Sequence, residues 1–281
     1  MLTQIAFSTV VFDGYSFEEG IALLAKAGVR NIEPAYIEGY TPFSEDTFTE
    51  AKGAALKSVL ERLGVRARAL SAHIDLGQPD SLERLLRRVD FAAGLGVATL
   101  ISNATRADRL EAFDATINTA LPLMAEAGIV LAVENPGHGV GALVPDGAAG
   151  ARLVSRYDSP FLRLNYDFGN ALTYARGDID LRADLNAALP HARRLHLKDV
   201  REQNGDWHFC PIGDGIVGYG GRVTLNGAVN QAGLAVEHPL RLWRPGRSDP
   251  VRRAEKPSTG DIQHAVAKSL RFLSESRIFE D

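Results

Sequence analysis

The chain has 281 residues, of which 23% are charged, with a formal net charge of -4 and one cysteine, Cys210. That balance argues against a nucleic-acid partner, and the lone cysteine excludes a disulfide framework and a cysteine-based zinc site. No apolar run approaches the roughly 20 residues that span a bilayer, and Met1-Leu-Thr-Gln-Ile5 lacks a leader's basic and apolar regions, so a soluble cytoplasmic protein is expected.

In chain order, Gln4 to Val10 reads as a first strand, followed by a helix from Phe17 that Ser16 caps and Gly28 stops. Asn31 to Ala35 is a short second strand, and a helix is expected from about Asp46 to Leu63, closed by Gly64. Val65 to His73 is the third strand. Its helix, capped by Asp80 or Ser81, carries Leu82, Leu85, Leu86, Val89, Ala92 and Ala93 at helical spacing and closes at Gly94-Leu-Gly96. Val97 to Ser102, ended by Asn103, is strand four, and a helical stretch runs from Ala107 to Gly128.

Ile129 to Val133 is an apolar run of the kind that forms parallel strands buried on both faces. Polarity then arrives at once, in Glu134 and Asn135, before Pro136 and Gly137 stop the strand and His138 follows in the loop. A helix near Asp146 to Tyr157, a strand from Phe161 to Tyr166, a helix near Asp180 to Leu189 and a strand from Ala192 to Leu197 come next. A polar loop from Asp199 to Gly221 leads to a short helix, Leu225 to Gly233. Strand eight is Leu234 to Glu237, and the last helix is Thr259 to Ser274.

Eight βα units of about 35 residues each predict an α/β fold, a single (β/α)8 barrel domain spanning residues 1–281. The helix stops ending in Gly28, Gly64, Gly128 and Gly233 each precede a strand closely, as αβ loops do. The alternative is a doubly wound open sheet, but no Gly-x-Gly-x-x-Gly follows strand one.

Glu134, Asp167, His196 and Glu237 close strands five to eight, so a barrel brings them to one mouth. Singly, each reads more plainly as a salt-bridge partner or a rim residue. Together, three carboxylates would repel one another unless a cation sat between them. One imidazole with three carboxylates suits Mn2+, Mg2+ or Co2+, with zinc an option.

Val133-Glu134-Asn135, Asn165-Tyr-Asp-Phe-Gly-Asn170, Leu195-His-Leu-Lys-Asp199, Ala235-Val-Glu-His-Pro239 and Ile212-Gly-Asp-Gly215 resemble the strand ends and loop of the xylose isomerase-like barrels. These are sugar isomerases, epimerases and endonuclease IV. The resemblance covers nearly the whole chain. It implies that Glu134, Asp167, His196 and Glu237 ligate one divalent metal, that substrate oxygens complete the coordination, and that Glu134 and Glu237 act as base and acid in isomerising or epimerising a sugar, sugar phosphate or sugar acid through an enediolate. Endonuclease IV-like enzymes carry a histidine three residues after the strand-six aspartate, where this chain has Asn170, and an Asp-x-His that the Gly-Asp-Gly segment lacks. A trinuclear DNA-repair site is therefore not expected. The same strand ends also resemble inosose and 3-dehydroshikimate dehydratases, and a non-catalytic sugar-binding barrel and a homo-oligomer are left open.

Other polar residues near these ends are candidate substrate contacts: Glu33, Asn103, Asn170 and Lys198, the last two residues after His196 and so on the same side of the strand. His73 and His138 are candidate acid–base groups, with loop capping the alternative for His138. The loop after strand eight is long and rich in arginine. Arg241, Arg244 and Arg247 are placed near the mouth, where a guanidinium can grip a carboxylate or phosphate, and Arg244 is taken as the substrate contact among them; a solvated or subunit-contacting loop is the alternative. Trp243 is expected to anchor it, and Asp199 to orient a neighbour. His191, His208 and His264 are assigned to the surface.

Overall fold

A computed structural model of the protein describes residues 4–136, 139, 141–225 and 232–279. All eight expected strands are present. They are β1 (Ala6–Ser8), β2 and β3 (Asn31–Glu33, Ala35–Tyr36), β4 and β5 (Arg66–Ala67, Leu70–Ala72), β6 (Thr99–Asn103), β7 (Val130–Glu134), β8 (Leu162–Asp167), β9 (Ala192–Leu197) and β12 (Gly233–Val236). Two of the eight staves are broken in the middle. Pro34, which has no N–H to give the ladder, separates β2 from β3.

The breaks do not open the sheet. β1 pairs in parallel with β12 on one side and β2 on the other; β2 pairs with β4, and its continuation β3 pairs with β5, the continuation of β4. The remaining parallel pairs run β5-β6-β7-β8-β9-β12, so the eight staves close into a ring.

Period-two alternation sorts the strand residues into two apolar populations. Leu70, Leu100, Leu131, Val133, Leu195, Leu197 and Val236 join one core with Leu85, Val89, Phe113 and Ile117 of the outer helices. Ala69, Ile101 and Ala132, on the opposite strand face, form a small separate cluster inside the barrel. The inward positions above them are polar.

The helices are α1 (Phe17–Lys26), α2 (Glu50–Arg62), α3 (Ser81–Leu95), α4 (Leu110–Ala127), α5 (Gly147–Ser155), α6 (Phe168–Tyr174), α7 (Leu181–Ala188) and α8 (Thr259–Glu275). Ser16 forms a capping box with Glu19. Gly28, Gly64, Gly96 and Gly128 all have positive φ, as helix stops should. Gly233 is a correction: it begins β12. The short helix expected over 225–233 lies mostly outside the described residues. No described helix is long and apolar enough to cross a membrane.

Three further differences matter for the mouth. The helix α6 starts straight from the end of β8, because Asp167 caps it by accepting the Asn170 N–H at 2.6 Å. The expected polar loop 199–221 contains an antiparallel hairpin, β10 (Asp199–Gln203) and β11 (Asp206–Cys210). Asn204 and Gly205, both at positive φ, form its two-residue turn. The arginine-rich segment adds β13 (Leu242–Arg244) and β14 (Val251–Arg252) to this hairpin, making a four-stranded antiparallel sheet beside the mouth.

Candidate metal centre

Register brings the four expected ligands together. Asp167 lies opposite His196 across β8 and β9, and Glu134 opposite Asn165 across β7 and β8. Glu237 extends the β12 ladder, its N–H bonded to Leu197 O at 2.9 Å. One ligand atom from each of Glu134, Asp167, His196 and Glu237 lies within 4.8 Å of all the others, and all four residues are buried. His196 Nδ1 is 3.1 Å from Glu134 Oε2, 3.7 Å from Asp167 Oδ2 and 3.8 Å from Glu237 Oε1. Atoms bound at about 2.1 Å on opposite sides of an ion are about 4 Å apart, so the set has the dimensions of a coordination shell.

The far side of the imidazole is fixed. His196 Nε2 lies 2.7 Å from Glu33 Oε1, and Arg194 Nη2 donates to Glu33 Oε2 at 2.9 Å. Burial would raise the Glu33 pKa, but His196 and Arg194 outweigh it and hold the carboxyl at about 2. An ionised Glu33 accepts the Nε2–H hydrogen bond, which leaves Nδ1 to face three carboxylates. Burial alone would lower the His196 pKa; Glu33, Glu134 and Glu237 instead drive it well above the ordinary value, a measure of the negative field at this point.

Both His196 Nδ1 and Asp167 Oδ2 are buried without a hydrogen-bond partner. Such atoms are costly unless something else satisfies them. A divalent ion fits: imidazole nitrogen and carboxylate oxygens converge on it, and a second carboxylate orients the histidine from behind, as is usual for metal-bound imidazoles.

Lys198 reaches the same place from β9. Its Nζ is 2.9 Å from Asp167 Oδ2, at ion-pair distance without hydrogen-bond geometry, and it pairs with Glu237 and donates to Asn170 Oδ1 at 2.9 Å. Burial opposes the charge, but Asp167 and Glu237 hold its pKa well above the usual lysine value. Gly169 makes room for it: a Cβ there would lie 2.6 Å from Lys198 Cγ. Asn170 donates to Glu134 Oε1 and to Asn135 O, each at 3.0 Å. Asn135 in turn clasps Asp167, donating to its O at 2.9 Å and accepting from its N at 2.8 Å. The ends of β7, β8 and β9 are thereby held as one unit.

Comparison with known proteins adds a family to this geometry. A family model described as "Xylose isomerase-like TIM barrel" matches residues 21–224. The chain belongs to that family. Curated protein sequences yield no match. Solved structures with the same fold include a xylose isomerase-like TIM barrel protein from Mycobacterium smegmatis in complex with magnesium (13% identity, 96% of each chain, TM-score 0.69). Another is a D-psicose 3-epimerase in the presence of D-fructose (16% identity, 98% of each chain, TM-score 0.68). A third is the probable 3-DHS dehydratase AsbF, involved in petrobactin synthesis, from Bacillus anthracis (13% identity, 97% of this chain and 99% of that one, TM-score 0.67). At these identities the likeness is one of fold.

As in any α/β barrel, the cavity lies at the carboxyl ends of the strands. It is walled by His73, Asn103, Glu134, Asn170, Lys198, Glu237 and Arg244, among others. His73 stands between Ser71 and Asn103, with Nε2 2.7 Å from Ser71 Oγ and Nδ1 3.0 Å from Asn103 Oδ1. Glu33 is the exception. It is fully buried behind His196 with both oxygens engaged and does not line the cavity. His138 lies outside the described residues.

Of the three loop arginines, Arg244 alone faces the cavity. Arg241 bonds the carbonyls of Arg253 and Ala254, and Arg247 pairs with Glu202 above the Trp207 ring. Trp243 anchors the strand by stacking on His208 at 5.7 Å. Asp199 organises the Gly-Asp-Gly loop: its carboxylate accepts the N–H groups of Val200, Gly213, Gly215 and Val217. A Cβ on Gly215 would sit 2.1 Å from Asp199 Oδ1, which explains the glycine. The buried Glu33–Arg194 pair escaped the sequence reading, although Arg194, two residues before His196, carried a signal: a charge on the inward face of a barrel strand.

Proposed function

We propose that the protein is a divalent-metal-dependent isomerase or epimerase of a small polyhydroxylated carbonyl compound. The observation that carries this reading is the convergence of four buried ligand atoms within 4.8 Å, opening onto a cavity at the barrel mouth. A divalent ion of the Mn2+, Mg2+ or Co2+ class held by Glu134, Asp167, His196 and Glu237 would supply Lewis-acid stabilisation of charge developing on the substrate oxygen during enolisation.

The chain's own groups do the proton transfer. Glu134 ends β7 and Glu237 directly follows β12, with β8 and β9 between them, and both reach the cavity wall. One removes the proton beside the carbonyl and the other returns a proton, to the opposite face for epimerisation or to the adjacent carbon for isomerisation. Asn170 fixes Glu134, and Lys198 places a positive charge beside Glu237.

One observation favours a second reading, a dehydratase. His73 stands at the cavity wall between Ser71 and Asn103, where it would serve as proton donor to a departing hydroxyl once the substrate displaces one of these two partners from its ring nitrogen. The two readings separate in deuterated water: the first incorporates deuterium at the substrate carbon with all hydroxyls retained, the second loses water. Removal of metal by chelator should abolish turnover and readdition restore it. Unchanged metal content in Glu134→Gln and Asp167→Asn would remove the foundation of both.

A further inference from the structure

Arg244 is 3% exposed, and its Nε and Nη2 are buried without hydrogen-bond partners. The other deeply buried arginines are held. Arg88 bonds Glu45 through both terminal nitrogens, and Arg194 bonds Glu33. Among the described residues Arg244 makes no ion pair, although burial of an uncompensated charge is costly. Burial lowers its pKa to about 10, which leaves the guanidinium charged at neutral pH.

Its position is held by backbone. Arg244 pairs with Trp207 of β11, and alternation along β13 points Leu242 and Arg244 into the cavity while Trp243 packs away on His208. The rest of the wall is balanced: the three ligand carboxylates offset Lys198 and a divalent ion. Arg244 is then the charged group at the cavity, among the described residues, that makes no ion pair, Asp249 acting on it only from beyond ion-pair distance. One negative charge neutralises it; a phosphate dianion overshoots in a site already crowded with carboxylates. The free Nε and Nη2 form the guanidinium edge that takes a carboxylate through two parallel hydrogen bonds.

We infer that Arg244 is a specificity-determining residue that receives a substrate carboxylate, so that the compound bound at this mouth is a sugar acid and not a neutral sugar or a sugar phosphate. The inference rests on the proposed function only in placing a polyhydroxylated compound in the cavity.

The test measures binding to the metal-loaded protein by calorimetry, using sets matched at one carbon: glucuronate, glucose and glucose 6-phosphate, with open-chain gluconate and glucitol alongside. Carboxylates should bind about tenfold or more tightly than their neutral counterparts, as a charge-assisted pair implies. Arg244→Met should remove that preference with metal content unchanged, and Arg244→Lys should retain part of it. Because the guanidinium has no partner to lose, Arg244→Met should also leave the thermal midpoint unchanged or raise it; a structural role would lower it.

Preference for the phosphate, equal binding across a set, no carboxylate binding, or a preference that survives in Arg244→Met overturns the inference. The two readings fail differently. Selective carboxylate binding without any deuterium exchange sinks the enzyme and leaves the anchor. Turnover of neutral sugars that is indifferent to Arg244→Met does the reverse.

Discussion

His196 Nε2 and Glu33 Oε1 meet at 2.7 Å on the side of the ring away from the cavity, with both residues fully buried. The contact fixes which imidazole nitrogen faces the three carboxylates. Glu33→Gln should therefore weaken divalent-metal affinity by about 10–100-fold while the circular dichroism spectrum stays native. Metal titration reads this directly, and an unchanged affinity would mean that the carboxylate does not orient the ring.

Lys198 pairs with Asp167 and Glu237, two of the carboxylates that would hold a cation. Replacing it with methionine removes a like charge from beside the ion and should tighten divalent-metal binding by about tenfold, while turnover falls. Weaker metal binding in Lys198→Met would show that the lysine builds the site and does not compete within it.

Gly169→Ala puts a Cβ 2.6 Å from Lys198 Cγ, inside contact distance. The lysine or α6 must shift, at a cost of about 1–3 kcal/mol in urea unfolding. Combined with Lys198→Ala, part of that cost should disappear, because Cγ and Cδ are removed while the Lys198 Cβ, 2.9 Å from the added atom, remains. Additive penalties in the double variant would place the clash elsewhere.

Asp199→Ala strands four backbone N–H groups that now share one buried carboxylate. The expected loss is about 3 kcal/mol or more, because donors to a charged acceptor are left unpaired. Protection of the Gly213, Gly215 and Val217 amides from hydrogen exchange should fall as well. Persistent protection would argue that the loop is held by other contacts.

Arg88 is fully buried over the Phe48 ring and is held by Glu45, whose hydrogen bond to Arg88 lowers its pKa against the opposing effect of burial. A lowered carboxyl pKa stabilises the fold above the unfolded-state value of 4.5, and that contribution is lost as pH falls below it. Glu45→Gln should cost about 1–3 kcal/mol at pH 7. The gap from the unaltered protein should narrow in acid; a gap of constant size from pH 7 to pH 3 would exclude the ionised pair as its source.

Several features missed in the sequence were encoded locally. Gln203-Asn-Gly-Asp206 is a hairpin signal, and Asn204 and Gly205 take the left-handed conformations it requires. Asp167 is both strand end and helix cap, a double role hidden when only the first is considered. Others were not local at all. Nothing near Glu33 in the chain marks it as the partner of His196, and nothing near Arg194 marks it as the partner of Glu33.

By itself the sequence determined the eight alternating units, the helix stops at Gly28, Gly64, Gly96 and Gly128, and the four polar residues that end the last four strands. Periodicity and backbone conformational preference act over a few residues, so they can be read from a few residues. Which side chain stands behind His196, which arginine loses its partner and how β10, β11, β13 and β14 join beside the mouth were decided by closure of the barrel. Ring closure brings residues more than 100 positions apart to hydrogen-bonding distance, and burial and charge pairing there depend on neighbours that only the completed fold supplies.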